Sequence, residues 1–326
     1  MKPWLIDVPV KINIWIRPEL QKKQWDIIKQ VRPKILFIQS DGGRNEEEWN
    51  AIKQNRELID KSLDWECEVH KLYEESNLGL YAMCEKRNNY IWSKVDRCIF
   101  LEDDHMPSVS YFKFCAELLE KYKDDQRIEA ICGFNNLNKW ETDGSDYFFS
   151  RRGSIWGMAS WSNRYISHKI SYYSKNNYIT KLLNQIKIKD YALYRRALGY
   201  AKDSCFENHP PGPEFWVRFD AWSHHRLFIV PTKNLITCEG ATYNATHVGN
   251  YDDLDDRLKK LFFTKRYDIN FPLKHPSFVL EDDFYCEEYE KSIGEYKEPT
   301  KESFKTIFRR QIRKLLNKFR KREIET

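Results

Sequence analysis

The chain has 326 residues, of which 41% are hydrophobic, and a formal net charge of +5 at pH 7. This length and apolar content suffice for one large domain or two modest ones, and no apolar run reaches membrane-spanning length. The eight cysteines are scattered without Cys-x-x-Cys pairs, which favours buried thiols in a reducing cytosol over a disulfide framework or a zinc site. No basic segment followed by an apolar core precedes the first predicted strand, so we expect no signal peptide.

Predicted strands and helices alternate along the first 132 residues. Val8–Ile16 alternates apolar and polar residues as a strand does, and Leu20–Val31 has one partly apolar helical face. The later elements are predicted strands at 34–39, 65–72, 98–101 and 128–132 and predicted helices at 46–63, 81–92 and 107–122. Strand, helix and strand in succession form βαβ units, whose strands pair in parallel. We therefore predict an α/β fold.

Three acids directly follow the apolar strand Cys98–Leu101. Glu102, Asp103 and Asp104 would crowd negative charge at the carboxyl end of a buried strand, which is costly without a cation. Mg²⁺ and Mn²⁺ take one or two protein carboxylates together with phosphate oxygens, and open α/β sheets bind ligands outside the carboxyl ends of their strands. The pattern predicts a metal–diphosphate site at Asp103 and Asp104. The alternative is a solvated acidic turn before a helix.

A second acid, Asp41, ends another predicted strand. Parallel pairing would bring Asp41 to the same edge of the sheet as Asp103. Gly42 and Gly43 follow it, and glycine lets a backbone turn tightly and approach a ligand closely. An ordinary Asp–Gly turn is the alternative interpretation of Asp41.

The elements after residue 135 are harder to assign. The aromatic stretch 155–161 contains Trp161, which suits a core, and Trp156, which follows a Gly-Ser turn and suits a platform for stacking on a sugar. The polar segment 172–200 is predicted to be a helical insertion. Three prolines exclude regular structure from 204–213, and loops of this kind often serve as lids.

The last third contains one more predicted helix and one repeated motif. Glu214–Trp222 is predicted to be a helix, and Leu227–Pro231 a strand. Leu280–Asp283 repeats the Leu-Glu-Asp-Asp motif, but it lies in an acidic surface stretch after a short apolar run, so we expect no metal there.

The C-terminal segment is a basic amphipathic helix by its pattern. Apolar residues from Phe304 to Phe319 recur every three or four positions, with lysines and arginines between them. This pattern suits an anionic membrane surface, where each Lys or Arg contributes roughly 1 kcal/mol. A partner-docking helix or a nucleic-acid patch is the alternative.

Taken together, the motifs resemble the GT-A glycosyltransferases, most closely bacterial family-2-like sugar transferases of surface polysaccharide synthesis. The layout is also similar to that of the Golgi N-acetylglucosaminyltransferases, and the resemblance covers roughly residues 8–250. The motifs that carry it are, in chain order, Arg17–Pro18, Ser40–Gly43, Asn77–Gly79, Leu101–Asp104, Trp156–Gly157 and Trp161.

The resemblance implies roles for particular residues. Asp104, the last acid of its motif, would coordinate a divalent ion, Mn²⁺ or Mg²⁺, on the donor diphosphate, with Asp103 beside it. Asp41 matches an acid that contacts the nucleotide base, Arg17 a basic residue near the nucleotide, and His247 a polar position on a late loop over the diphosphate. The residues expected to bind the donor are Arg17, Asp41, Gly42, Asn77, Gly79, Glu102, Asp103, Trp156 and His247.

The resemblance also suggests a general base. Asp220, followed by Trp222, lies where inverting members carry it. The Golgi enzymes have two adjacent acids before that tryptophan and use the second, which is Ala221 here, so Glu214 is the second candidate.

We therefore expect a GT-A (Rossmann-like) fold, with a mixed, mostly parallel sheet flanked by helices. Residues 1–300 would form the glycosyltransferase domain, with a nucleotide-binding half at about 1–135 and an acceptor half at about 136–300, and 301–326 would form a membrane-surface helix. The expected reaction is metal-dependent, inverting transfer from a nucleotide sugar, first of all a UDP-sugar such as UDP-GlcNAc, to a glycan or lipid-linked acceptor. Such an enzyme would lie in the cytoplasm, on the inner face of a bacterial membrane, and would bind no nucleic acid.

Two other functions remain compatible with the sequence. A sugar-phosphate nucleotidyltransferase shares this type of sheet, although the glycine-rich basic loop that such enzymes favour near the start is absent before Asp41. A non-enzymatic protein that binds membranes or polyanions through its tail is the other alternative.

Overall fold

The computed structural model describes residues 1–164, 193–195, 212–241 and 251–294. The chain divides into two units, Met1–Tyr289 and Glu290–Thr326, and only residues 290–294 of the second are described. His247, the basic segment 303–322, and most of the predicted insertion and of the proline-rich loop lie outside the described residues.

Ten strands form two sheets in the described residues. They are β1 (Val10–Ile14), β2 (Ile35–Ser40), β3 (Glu68–Tyr73), β4 (Arg97–Leu101), β5 (His105–Pro107), β6 (Ile128–Cys132), β7 (Tyr147–Ser150), β8 (Met158–Trp161), β9 (Leu227–Pro231) and β10 (Ile236–Cys238). Eight of them make the central sheet in the order β3-β2-β1-β4-β8-β6-β9-β7, and β10 pairs with β5 in a small second sheet.

Seven α-helices with described bounds accompany these strands, and residues 193–195 are also helical. The seven helices are α1 (Pro18–Val31), α2 (Glu46–Ser62), α3 (Leu80–Trp92), α4 (Val109–Lys121), α5 (Pro213–Ser223), α6 (Asp256–Lys259) and α7 (Asp283–Ser292). Local sequence explains where the first two begin. Pro18, whose fixed φ suits the first helical turn, opens α1, and the Asn45 side chain caps α2 by accepting a hydrogen bond from the Glu48 N–H at 2.9 Å.

Six of the eight strands in the central sheet run in the same direction. β1 lies between its parallel neighbours β2 and β4, and β6 pairs in parallel with β9. β8 and β7 run antiparallel to their neighbours. The predicted mixed, mostly parallel sheet flanked by helices is therefore confirmed.

The two faces of the sheet are covered by different helices. Val10, Ile12 and Ile14 of β1 belong to a core cluster with apolar residues of α1 and α4. The opposite face carries Phe37 and Cys98, which pack with Ile91 of α3. Because side chains alternate along a strand, Lys11 and Asn13 of β1 lie on the α3 face.

The predicted elements up to residue 132 occur within about three residues of their expected ends. Four short strands, β5, β7, β8 and β10, were not predicted. β7 and β8 have only four residues each, and β5 and β10 only three, so none carries a readable alternation.

No α-helix within the described parts of the chain combines the length and apolarity needed to cross a bilayer. Leu280, in the repeated Leu-Glu-Asp-Asp motif, is 74% exposed, and the side chain of Asp283 is 80% exposed. This second motif therefore lies on the surface, as expected.

Candidate functional site

The strand order brings three loop segments together at one edge of the sheet. β2, β1 and β4 are neighbours and run parallel, so their carboxyl ends meet at the same edge. Asp41 follows β2, Arg17 follows β1, and Glu102–Asp104 follows β4.

Arg17 contacts both aspartates of the acidic loop. Its Nε and Nη2 donate to the two oxygens of Asp103 at 2.9 and 2.8 Å, and Nη2 also donates to Asp104 Oδ2 at 3.2 Å. Nη1 donates to the Gly240 carbonyl at 3.2 Å. The planar guanidinium matches a carboxylate with two parallel hydrogen bonds, so Arg17 fixes the orientation of Asp103.

The charge balance of this cluster is negative. Burial raises the pKa of Asp103 to about 6 against the opposing effect of Arg17, and the neighbouring carboxylates of Asp104 and Glu102 add to the rise. Burial alone would lower the pKa of Arg17, but Asp103 and Asp104 raise it above its ordinary value. One arginine therefore does not offset the carboxylates, and the site favours a further cation.

Glu102 is held by the central strand. Asn13 Nδ2 donates to Glu102 Oε2, and the Nζ of Lys11, whose side chain is only 3% exposed, lies 3.6 Å from Oε1. Both partners come from the α3 face of β1. The Glu102 carboxylate thus contacts the α3 face of β1, whereas Asp103 and Asp104 contact Arg17.

Asp104, His105 and Cys238 form a group that could hold a metal ion. One ligand atom from each lies within 4.8 Å of the others, because β5 and β10 place His105 opposite Cys238. A Cβ on Gly240 would lie 2.0 Å from Asp104 Oδ2, so only glycine at that position allows the observed approach.

The donor chemistry of this group fits a hard ion bound through Asp104. His105 Nδ1 accepts hydrogen bonds from the N–H groups of Glu102 at 3.0 Å and Gly157 at 3.3 Å. Because Nδ1 accepts these bonds, a neutral ring carries its proton on Nε2, and burial, which lowers the pKa of His105, favours that neutral form. In this tautomer neither nitrogen has a free lone pair to offer a metal ion. Burial raises the pKa of Cys238 well above its ordinary value, which keeps the thiol protonated. Carboxylate oxygens are the ligands that Mg²⁺ and Mn²⁺ prefer.

Asp41 clamps the loop that precedes α3. Its Oδ1 accepts from the N–H groups of Gly42 and Leu78, each at 2.9 Å, and its Oδ2 accepts from the Gly79 N–H at 3.0 Å and Asn77 Nδ2 at 3.2 Å. A carboxylate has about four lone-pair sites, and all four are used within the chain. The contact with a nucleotide base remains a prediction, whereas the loop clamp is the arrangement observed.

Close packing makes glycine necessary next to this clamp. A Cβ on Gly42 would lie 2.4 Å from the Ser76 backbone. Gly79 has φ +79°, a left-handed conformation that favours glycine. Both glycines of the predicted donor-binding set therefore have a structural requirement independent of any ligand.

A cleft of about 540 Å³ opens beside the Asp41 clamp. Gly43, Arg44, Trp49, Lys53 and Glu75 are among the residues that line it. The cleft lies at the carboxyl ends of β2 and β3, which are the second and third strands along the sheet from β4, with β1 between β4 and β2. Its lining combines the Trp49 side chain with two cationic side chains, Arg44 and Lys53, and two acidic ones, Glu46 and Glu75.

Trp156 belongs to an aromatic cluster next to His105, the residue that follows the acidic loop. Its ring centroid is 6.5 Å from that of His105, 4.9 Å from that of Phe134 and 5.1 Å from that of Phe262. Trp156 is partly exposed, and the neighbouring Gly157 has φ +65°. Its predicted role as a sugar platform stays a prediction, and Trp161 is a core residue, only 4% exposed.

The two candidate bases lie at different ends of α5. Asp220 is buried and close enough to Glu129 to raise the pKa of that carboxyl, which burial raises to about 7. Glu129 in turn pairs with Arg226 at 3.0 Å, with both side chains under 10% exposed. Asp220 therefore adjoins a buried ion pair.

This ion pair lies far from the acidic loop along the strand direction. The pairing of β4 and β6 with β8 places Glu129 level with Arg97, the first residue of β4. Leu101, the last residue of β4, is about 13 Å further along at the usual rise per residue. Asp220 adjoins this pair, and its role as the general base stays a prediction.

Glu214 is exposed in the first turn of α5. Both Glu214 and Glu102 raise the pKa of the Cys84 thiol, which burial mainly brings to about 11. Cys84 thus has Glu214 and a carboxylate of the acidic loop as electrostatic neighbours.

Four residues of this site were missed from the sequence: Lys11, Asn13, His105 and Gly240. The first two could have been found, because they are the polar members of a strand otherwise made of Val10, Ile12 and Ile14. The other two carry no signal that sequence reasoning could use, since a histidine after an acidic motif and a lone glycine are both common.

The comparisons with known proteins concern the fold. No protein-family model and no curated protein matches the sequence. Among solved structures, the mannosyltransferase PcManGT from Pyrobaculum calidifontis, in complex with GDP-Man and Mn²⁺, is 12% identical, with 48% of this chain and 45% of that chain covered at a TM-score of 0.33. This chain therefore spans less than half of that protein.

Two nucleotidyl-transferring enzymes have similar folds. Apo UDP-glucose pyrophosphorylase is 9% identical, with 72% of this chain and 93% of that chain covered at a TM-score of 0.36. The inositol-1-phosphate CTP transferase from T. maritima is 9% identical, with 79% and 96% covered at a TM-score of 0.39. Similarity this distant does not carry an activity over to this chain.

The Asp41 clamp gives a first testable prediction. Asp41→Asn replaces one acceptor oxygen with an amide NH₂ that faces N–H donors, so the two hydrogen bonds to that oxygen are lost and at least one backbone N–H is left unpaired. We expect a loss of about 1–3 kcal/mol in the free energy of unfolding and faster hydrogen exchange at the amides of Leu78 and Gly79. Asn77→Ala, which removes the hydrogen bonds from Asn77 Nδ2 to Asp41 Oδ2 and to the Gly42 carbonyl but leaves the backbone donors to Asp41 paired, is the control. Unchanged exchange in Asp41→Asn would show that the clamp does not order this loop.

Proposed function

We propose that the protein is a metal-dependent inverting glycosyltransferase that uses a nucleotide sugar. The observation that supports this most directly is the arrangement of Arg17, Asp103 and Asp104 at the carboxyl edge of β4 and β1, where carboxylates outnumber cations. A UDP-sugar is the proposed donor, with UDP-GlcNAc as the first to be tried. The acceptor would be a glycan or a lipid-linked glycan of bacterial surface polysaccharide synthesis.

Each half of the compact unit would bind one substrate. Residues 1–135 carry the acidic loop, the Asp41 clamp and the adjoining cleft, and we assign the nucleotide to this half. The cleft lies about two to three strand spacings, roughly 10–14 Å, from β4, which suits a nucleoside whose diphosphate lies over the acidic loop. Residues 136–300 would supply the acceptor side, including Glu214 and Trp156.

The diphosphate end of the donor would be held by charge. Asp104, with Asp103 beside it, would hold Mn²⁺ or Mg²⁺, which as a Lewis acid stabilises the negative charge that grows on the leaving diphosphate. Arg17 lies 3.2 Å from Asp104 and would add a fixed donor toward the same oxygens. Asp103 orients Arg17 through two hydrogen bonds, so the donor groups are in place before substrate binds.

The acceptor hydroxyl needs a base to become a good nucleophile. We assign this role to Glu214 in preference to Asp220, because Glu214 and Glu102 of the acidic loop both act on the Cys84 thiol, whereas Asp220 adjoins the buried Glu129–Arg226 pair. The Glu214 carboxylate would take the hydroxyl proton while the oxygen forms a bond to the anomeric carbon. The bond from that carbon to the phosphate oxygen breaks, and the nucleoside diphosphate leaves with the electron pair, which inverts the anomeric centre.

Nucleotidyl transfer is the competing reaction on this type of fold. It requires close backbone contact with a triphosphate, which a glycine-rich loop commonly provides. The segment after β1 is Trp15–Pro18, which contains no glycine. This sequence favours sugar transfer.

The metal site can be tested by thermal shift with nucleotides and Mn²⁺. We expect one nucleoside diphosphate to stabilise the protein in the presence of Mn²⁺, and we expect Asp104→Asn to lose that response. Asp283→Asn in the exposed second Leu-Glu-Asp-Asp motif is the matched control and should respond like the wild type. A protein that shows no metal-linked response to any nucleotide would argue against the proposal, and pyrophosphate release from UTP and a sugar phosphate would indicate nucleotidyl transfer instead.

The base assignment can be tested by two amide substitutions. Glu214→Gln should lower sugar transfer by about 10²–10⁴-fold and leave donor affinity near the wild-type value, because the side chain acts on the acceptor. Asp220→Asn should retain transfer in proportion to the protein that folds. Turnover and nucleotide affinity are measured for both variants, and a reversed result would move the base to Asp220.

We also propose that the basic segment 303–322 binds an anionic membrane surface and brings the enzyme to a lipid-linked acceptor. Removing residues 303–326 should abolish co-sedimentation with phosphatidylglycerol vesicles while hydrolysis of the sugar nucleotide in solution continues. Phosphatidylcholine vesicles are the control for charge. Loss of hydrolysis together with vesicle binding would favour a protein whose function resides in the tail.

A further inference from the structure

His105 makes contacts that link two separate parts of the site. It is 2% exposed, and its Nδ1 accepts from the N–H of Glu102, in the acidic loop, at 3.0 Å. The same nitrogen accepts from the N–H of Gly157, in the turn that carries Trp156, at 3.3 Å.

The two contacts determine where the ring proton lies. A neutral imidazole has one donor nitrogen and one acceptor nitrogen, and Nδ1 is the acceptor here. Nε2 therefore carries the proton, and it lies 3.6 Å from Asp104 Oδ1. This separation is longer than a hydrogen bond, but contacts of this kind often tighten when a ligand binds.

Further contacts fix the loop on which the ring depends. Gln24 Nε2 donates to the carbonyl of His105 at 2.9 Å and to that of Glu102 at 2.5 Å. β10 pairs with β5 on the other side, with Cys238 opposite His105. The imidazole thus occupies a rigid position between the acidic loop and the Trp156 turn.

We propose that His105 is a positioning residue. Its neutral ring holds the acidic loop and the Trp156–Gly157 turn in one arrangement through Nδ1, and it presents its Nε2–H to the carboxylate of Asp104. The second part of this inference rests on the proposed function, in which Asp104 binds the divalent ion. Groups that hydrogen-bond a metal-binding carboxylate set its orientation, and losing one typically costs 10–100-fold in metal affinity or activity.

Two substitutions separate the two nitrogens. In His105→Asn, the amide oxygen can occupy the position of Nδ1 and accept from Glu102 and Gly157, but nothing reaches Asp104. In His105→Gln, the amide can reach the position of Nε2, but the two buried N–H groups lose their acceptor, which is costly. We therefore expect His105→Asn to keep a melting temperature near the wild-type value and His105→Gln to melt at a lower temperature.

Metal affinity is the second measurement. Titration of the full chain with Mn²⁺ in the presence of UDP, followed by the EPR signal of free Mn²⁺, should show a roughly 10-fold weaker affinity in His105→Asn. His275→Asn is the control, because His275 bonds Tyr147 through Nδ1 at 2.9 Å and lies half-buried away from the acidic loop. An affinity in His105→Asn equal to that of the wild type would overturn the contact with Asp104.

The ring itself gives a readout that a general structural role would not produce. In the ¹⁵N-labelled wild-type protein without metal, the histidine signals that disappear in His105→Asn should show a protonated Nε2 and a nonprotonated Nδ1. The opposite tautomer, or equal stability of the Asn and Gln variants, would overturn the proposal. If the wild type binds no Mn²⁺ with UDP, the proposed function fails, while the tautomer and the stability difference still decide whether His105 joins the two segments.

Discussion

The double hydrogen bond from Arg17 to Asp103 is the interaction on which the rest of the site depends. Arg17 lies between β1 and α1, Asp103 lies between β4 and β5, and the same guanidinium also reaches Asp104 and the backbone of Gly240. Three chain segments therefore meet at one cation. Because buried charges are tolerated only when they are paired, this guanidinium is what allows several carboxylates to remain close together at the edge of the sheet.

The pairing explains why the acids divide into distinct roles. Asp103 is committed to Arg17, and Glu102 is committed to Lys11 and Asn13 on the central strand. Asp104 is left facing the small space beside Gly240 and Cys238, where an ion could bind. Three consecutive acids thus have three roles: Asp103 pairs with Arg17, Glu102 contacts the central strand, and Asp104 is the proposed metal ligand. The roles differ because the neighbours of each carboxylate differ.

The sequence allowed much of the fold and part of the site to be predicted. Strands such as β2 and β4 are uninterrupted apolar runs, and their order with the helices determines parallel pairing, so the common edge for Asp41 and Asp103 followed directly. The positions of the two candidate bases in α5, Glu214 and Asp220, could not be predicted in the same way. The helical pattern of α5 is readable, but what surrounds Glu214 and Asp220 depends on how α5 packs against β6 in the folded chain, which no local pattern encodes. The N–H groups of Glu102 and Gly157 donate to His105 Nδ1. Gly157 lies far from His105 in the sequence, so only the folded chain brings the two residues together.

The fully occupied carboxylate of Asp41 has a consequence for attempts to alter which nucleotide the protein accepts. A side chain whose lone pairs are all satisfied internally discriminates poorly among bases, and exchanging it perturbs the loop before it changes any preference. Libraries intended to redirect donor choice would therefore do better to vary Arg44, Trp49 and Lys53 along the adjoining cleft and to leave position 41 as it is.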